Sequence, residues 1–135
     1  TGKLVLVDGR GNRVGAVCDG PEHLYFVISH SKVVDGGINT AVARIKKTAC
    51  PPNARRQGLD TACARTGVCG PDCHDSMCRL TLAVDRAPRG RKITVLFVEE
   101  TLGVSKTVGD LLGPCMFALT MALGCIFRRG KACES

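Results

Sequence analysis

The chain has no tryptophan, one tyrosine and four phenylalanines. A core made with so few large rings rests on Val, Leu, Ile and Ala, which bury less area per side chain, so stability must come partly from elsewhere. Local signatures of catalysis are missing too: there is no nucleophile elbow and no recognisable Cys–His arrangement with a third orienting group. The Gly-rich stretch DGRGN, residues 8–12, reads as a turn between two strands, which removes the helix dipole that a phosphate cradle would use. No C-x-x-C pair is available to aim two sulfurs at one tetrahedral ion. Asn12, Asn39 and Asn53 all fail the N-x-[ST] glycosylation pattern. These absences point away from an enzyme, from a bound metal and from any cofactor.

What the chain does have is sulfur. Nine cysteines stand at 18, 50, 63, 69, 73, 78, 115, 125 and 133. Dispersed cysteines suit long-range disulfides better than a compact metal cage, so Cys18, Cys50, Cys63, Cys69, Cys73, Cys78, Cys115, Cys125 and Cys133 are all disulfide candidates. Thiolate–metal ligation and buried thiols are the alternatives. An odd total leaves at least one sulfur unpaired within the chain, and Cys133 is the easiest to imagine reaching outward. The three histidines read as surface residues at 23 and 30 and, at 74, as a neighbour of structural cysteines.

The net charge of +7 is scattered over Lys46–Lys47, Arg55–Arg56, residues 86–92 and residues 128–131. A nucleic-acid protein usually gathers its charge on one face, so no nucleic-acid partner is expected. Scattered charge favours acidic partners, anionic lipid included, without selecting one.

At 135 residues one domain is expected, residues 1–135, stapled by disulfides. Residues 1–49 read as β-rich. Alternation through Leu4, Leu6, Val14 and Ala16 around Gly9 and Gly11 predicts a hairpin. HLYFVIS, from His23, predicts a strand too apolar throughout to lie at an exposed edge. INTAVARIKK, from Ile38, reads as a strand through Val42 and Ala43, with a short helix through Ile38, Val42 and Ile45 as the alternative. Residues 50–79 read as Cys-rich loops. Residues 80–102 predict a second hairpin, CRLTLAVD and KITVLFVEE turning at residues 88–91. The fold class is thus mainly β, built of antiparallel hairpins, with a disulfide-rich loop region and an apolar, partly helical C-terminal segment.

That last segment, residues 108–135, contains LLGPCMFALTMALGCIF, an uncharged run from Leu111 to Phe127 followed by Arg128 and Arg129. It just reaches the length of a membrane span. Gly113, Pro114, Thr120 and Gly124 argue for a core helix instead, and such a helix, apolar all round, needs cover on every side. TVGDLLGPCMFALTMALGC, with CRLTLAV and clustered cysteines upstream, resembles the small envelope glycoprotein of hepaciviruses and pegiviruses. The resemblance implies a viral envelope ectodomain at the virion surface, reached through the secretory pathway, that works in assembly and membrane entry. Its implied partner is a larger glycoprotein, or a same-chain neighbour, and the adjacent Arg128, Arg129 and Lys131 favour an anionic membrane surface. Leu111, Leu112, Met116, Phe117, Leu119, Met121, Leu123, Ile126 and Phe127 would supply the apolar contact. A cellular extracellular adhesion domain and a zinc-held basic module binding nucleic acid are the alternatives.

Overall fold

The computed structural model describes residues 2–71 and 73–102 in full, and residues 124–128 as backbone. One strand organises it. β1 (Gly2–Asp8) carries Leu4, Val5, Leu6 and Val7 in succession, so both of its faces must be covered. It lies inside a four-stranded sheet, antiparallel to β4 (Leu80–Val84) on one side and to β6 (Gly124–Arg128) on the other. β3 (Val33–Asp35) runs parallel to β6 and completes the order β3-β6-β1-β4.

Leu4 and Leu6 pack with Val17 of α1 (Asn12–Asp19) and with Ile28 of β2 (His23–Ser29). β2 pairs in parallel with β5 (Lys92–Val98) as a separate two-stranded sheet, whose Phe26, Ile93 and Val95 close over the same cluster. Val5 and Val7 point the other way, onto Ala41, Ile45, Cys50, Ala54 and Cys63. Those five come from α2 (Ile38–Arg44), a π turn (Ile45–Ala49), α3 (Cys50–Arg56) and α4 (Ala62–Thr66). Burying each of the large aliphatic side chains stabilises the fold by roughly 1.5–3 kcal/mol.

The helical layer takes its shape from two prolines. Pro51 and Pro52 have no N–H to give to carbonyls one α-turn back, and a proline ring crowds the carbonyl four residues before it. The ladder widens ahead of them: the Cys50 N–H bonds to the Ile45 carbonyl, five residues back. The extra residue also preserves the buried face. Ala41, Ile45, Cys50 and Ala54 are all buried, spaced four, five and four apart. Without the wide turn, Cys50 would rotate off the core.

The fold is therefore mixed α/β, with two small sheets and four α-helices among the described residues, rather than mainly β. The first predicted hairpin is a strand and a helix. Val14 and Ala16 suggest period two, but Val14 and Val17 also sit one helical turn apart, and the packing of Val17 beneath Leu4 and Leu6 decides the matter. The predicted strand through Val42 and Ala43 is helix α2, the alternative reading. Both strands of the second predicted hairpin form, but not with each other: β4 joins β1 and β5 joins β2, because β1 needs neighbours beside it and a layer above it. β2 does lie at an edge, with Tyr25 and Val27 exposed. The Cys-rich stretch expected as loops contains α3 and α4.

Neighbouring residues of β2 offer a test of this layering. Ile28 is 1% exposed and Val27 is 48% exposed. Ile28→Ala should lower stability by about 2–5 kcal/mol in denaturant unfolding, whereas Val27→Ala should stay within about 0.5 kcal/mol of the parent.

Candidate functional site: a cysteine-lined pocket

A cavity of about 320 Å³ opens between the helical layer and the segment leading into β4. Its walls include Cys50, Cys63, Cys69, Cys73 and Cys78, together with Lys46, Thr61 and Ser76. Five of the six cysteines whose side chains are described thus meet in one place, and all six carry free thiols. The elements position them differently. Cys50 is held in the core at the start of α3 by the wide turn before it. Cys63 is also buried, its sulfur 3.3 Å from the Thr61 hydroxyl that caps α4 by accepting from the Ala64 N–H. Cys78 is aimed by β4: the Arg79 N–H donates to the Asp8 carbonyl, and the Cys78 N–H donates to Ser76 Oγ at 3.0 Å.

The central pair is Cys50 and Cys78, whose sulfurs stand 3.2 Å apart. The two thiols cannot ionise alike at that distance, since one must donate to the other. Cys78 carries the charge. The hydrogen bond from Cys50 lowers its pKa most, burial opposes this, and the Lys46 cation and Ser76 help, bringing it to about 7. Cys50 is driven strongly upward by that same hydrogen bond, then by burial and by the neighbouring thiolate. The pocket therefore presents one thiolate near neutral pH, with a proton held on the sulfur behind it.

A second polar centre braces this wall. Asp8, at the end of β1, is buried. Its carboxylate accepts from the backbone N–H groups of Gly9 at 2.8 Å, Arg13 at 2.9 Å and Val14 at 3.2 Å, and from the Arg13 guanidinium at 3.0 Å. The DGRGN stretch does join a strand to a helix, contrary to the turn expected between two strands. However, the anion at that helix N-terminus is the protein's own carboxylate. Gly9 lies so close to the loop that an added Cβ would stand 2.9 Å from the Met77 carbonyl oxygen. The turn after β1 therefore sets where Met77 and Cys78 run.

The sequence sets these five cysteines apart as one Cys-rich stretch, but the expectation there was cross-linked loops and not a shared pocket. Cys18 is exposed on α1, away from the pocket walls. Cys115, Cys133, Leu111, Leu112, Met116, Phe117, Leu119, Met121 and Leu123 lie outside the described residues. The backbone of Cys125, Ile126 and Phe127 belongs to β6, inside the four-stranded sheet, with Ile126 opposite Leu4 and Phe127 opposite Lys3. His23 bonds to Thr94 and Tyr25, His30 stacks on Phe97 at 5.3 Å, and His74 is exposed. Among the described residues no three His, Cys, Asp or Glu are placed to hold a metal ion, and no helix is long and apolar enough to cross a membrane. Lys46, Thr61, Ser76 and Asp8 were missed. The one hint was Pro51–Pro52, which marks a helix irregularity beside Cys50.

A family model described as the LUD domain matches residues 1–98, well over half of the chain. The chain belongs to the LUD-domain family. No curated protein and no solved structure matches it. The matched span holds every described element except β6 and all of the pocket. Family membership overturns the resemblance to a hepacivirus or pegivirus envelope glycoprotein, and with it the function in virion assembly and membrane entry. The adhesion and zinc-module alternatives have no support either. That resemblance rested on a short, partly compositional motif at residues 107–125, with CRLTLAV and clustered cysteines upstream, and apolar residues and cysteine recur for many reasons. The partner glycoprotein and the virion location were implied by that resemblance.

Asp8 gives this LUD domain an acid-sensitive brace. Burial pushes its pKa up, but the Arg13 guanidinium and the N–H groups of Val14 and Arg13 outweigh burial and hold it at about 2, below the ordinary 3.8. The folded-state value is depressed, so the stabilisation is complete above about pH 4 and is lost as pH falls towards 2. Asp8→Asn should cost roughly 2 kcal/mol at neutral pH and flatten the stability profile across that acid window. Gly9→Ala should cost about 1–3 kcal/mol by forcing the Met77 backbone away. Denaturant titrations over pH would check both.

Proposed function

We propose that this chain is a domain of a cellular metabolic protein of the lactate-utilization type, and that its working chemistry is the nucleophilic thiolate of Cys78. The type follows the family to which the chain belongs. The chemistry rests on one observation: Cys78 and Cys50 stand 3.2 Å apart in a pocket that also brings Lys46 and Ser76 to its wall. A thiolate needs a cation or donor beside it and an approach from solvent, and Cys78 has both, being half-buried at an open cavity. The cavity has the size of a small-molecule site. In this reading the Cys-rich segment works through its thiols rather than as staples. The proposal is a stoichiometric reactivity, which is compatible with the expectation that the chain alone is not an enzyme.

Lowering a thiol pKa has two opposed effects. At pH 7 a thiol of pKa about 7 is about half ionised, against roughly one part in a hundred for a pKa of 9.0. The weaker basicity reduces the reactivity of each thiolate by about eightfold. The net gain at neutral pH is only several-fold, so the pH profile is the sharper readout. Alkylation of Cys78 by iodoacetamide, followed by peptide mass spectrometry, should inflect near pH 7. Replacing Lys46 with Met should move the inflection upward and slow the reaction at pH 7 about twofold or more. An inflection at the ordinary thiol value, unmoved by that replacement, would refute the reading.

A further inference from the structure

Resting on the reading of Cys78 as the reactive thiolate, we infer that Cys50 and Cys78 form a reversible two-electron couple whose oxidant is a low-molecular-weight disulfide. The pair is asymmetric in the way such a couple requires. Cys78 is half-buried at the cavity and open to attack on an incoming disulfide, whereas Cys50 is 2% exposed and lies directly behind it. A sulfur–sulfur bond is about 2.0 Å long, so closure from 3.2 Å requires a shift of roughly 1 Å. Cys50 is fixed by α3 and the core. Cys78 sits at the end of the segment before β4, so it is the side that moves.

The chemistry proceeds by exchange. The Cys78 thiolate attacks one sulfur of a disulfide RSSR, forms the mixed disulfide Cys78–S–S–R and expels RS⁻. Cys78 is then neutral and no longer holds the Cys50 proton by charge. Cys50 loses that proton to solvent, attacks the Cys78 sulfur and expels the second RS⁻. One disulfide is reduced to two thiolates, one proton is released, and the protein pair is oxidised by two electrons. The low pKa of Cys78 and the high pKa of Cys50 fit the order of these steps, since the thiolate is present before the encounter and the resolving sulfur is released only after it. Cys69 and Cys73 line the same cavity and are the competing partners.

The test equilibrates the full chain in mixtures of glutathione and glutathione disulfide over a graded ratio, quenches with alkylating agent and maps the peptides. The expected result is a Cys50–Cys78 link that rises and falls reversibly with the ratio. In Cys50→Ser, Cys78 should instead accumulate glutathione, at least tenfold above the parent. No Cys50–Cys78 link at any ratio, with Cys78 alkylation still inflecting near pH 7, would overturn the couple and leave the nucleophile reading standing. A link from Cys78 to Cys63, Cys69 or Cys73, or a Cys50–Cys78 link that dithiothreitol cannot open in the folded chain, would overturn it as well. Loss of the inflection in the parent chain, together with absence of glutathione on Cys78 in Cys50→Ser, would overturn both. The parent chain alone decides the first question, so the outcome does not depend on a variant that folds.

Discussion

Burial of β1 on both faces is the constraint from which the rest of the molecule follows. A strand with Leu4, Val5, Leu6 and Val7 in unbroken sequence cannot lie at a solvent face, so helices must close one side and a second sheet with α1 the other. β1 ends in Asp8. Its buried carboxylate turns the chain into α1, while its carbonyl receives the Arg79 N–H beside β4. The same residue thus ends the strand, starts the helix and places the segment that carries Cys78. The pocket is a consequence of the core, not an addition to it.

The helical side shows how local backbone chemistry reaches the site. Pro51 and Pro52 open the ladder by one residue, and that single insertion turns Cys50 inward while leaving Lys46 at the cavity wall. A regular helix here would present another residue to Cys78. Cys50 is therefore held both by the core, among Ala41, Ile45 and Ala54, and by the wide turn that precedes it. The thiolate of Cys78 depends on this placement, because the hydrogen bond from Cys50 is the largest contribution to its ionisation.

Strand positions were legible where apolar, β-branched runs are dense: His23–Ser29, Leu80–Val84 and Lys92–Val98 all form as strands. Their partners were not. Pairing depends on what β1 must bury, and that is a non-local demand which a turn at residues 88–91 does not reveal. The DGRGN stretch misled for a related reason. Its glycines suit a hairpin turn equally well, and only the burial of Asp8 and Val17 selects the helix. As for the site, the five cysteines of residues 50–78 stood out as a group, but gaps of irregular length did not reveal that α3, α4 and the segment before β4 bring them to one pocket. The envelope-glycoprotein reading leaned on sulfur content and a short apolar run, neither of which carries the information of a match over residues 1–98.

In the proposed chemistry the core fixes one ionised sulfur at Cys78, with Cys50 protonated behind it. Ultraviolet titration of thiolate absorbance, taken as the difference between the reduced parent chain and Cys78→Ser, addresses it most directly. The expected difference amounts to one thiolate that grows in with a midpoint near pH 7. A difference curve that stays flat until the ordinary thiol range, above about pH 8, would contradict it.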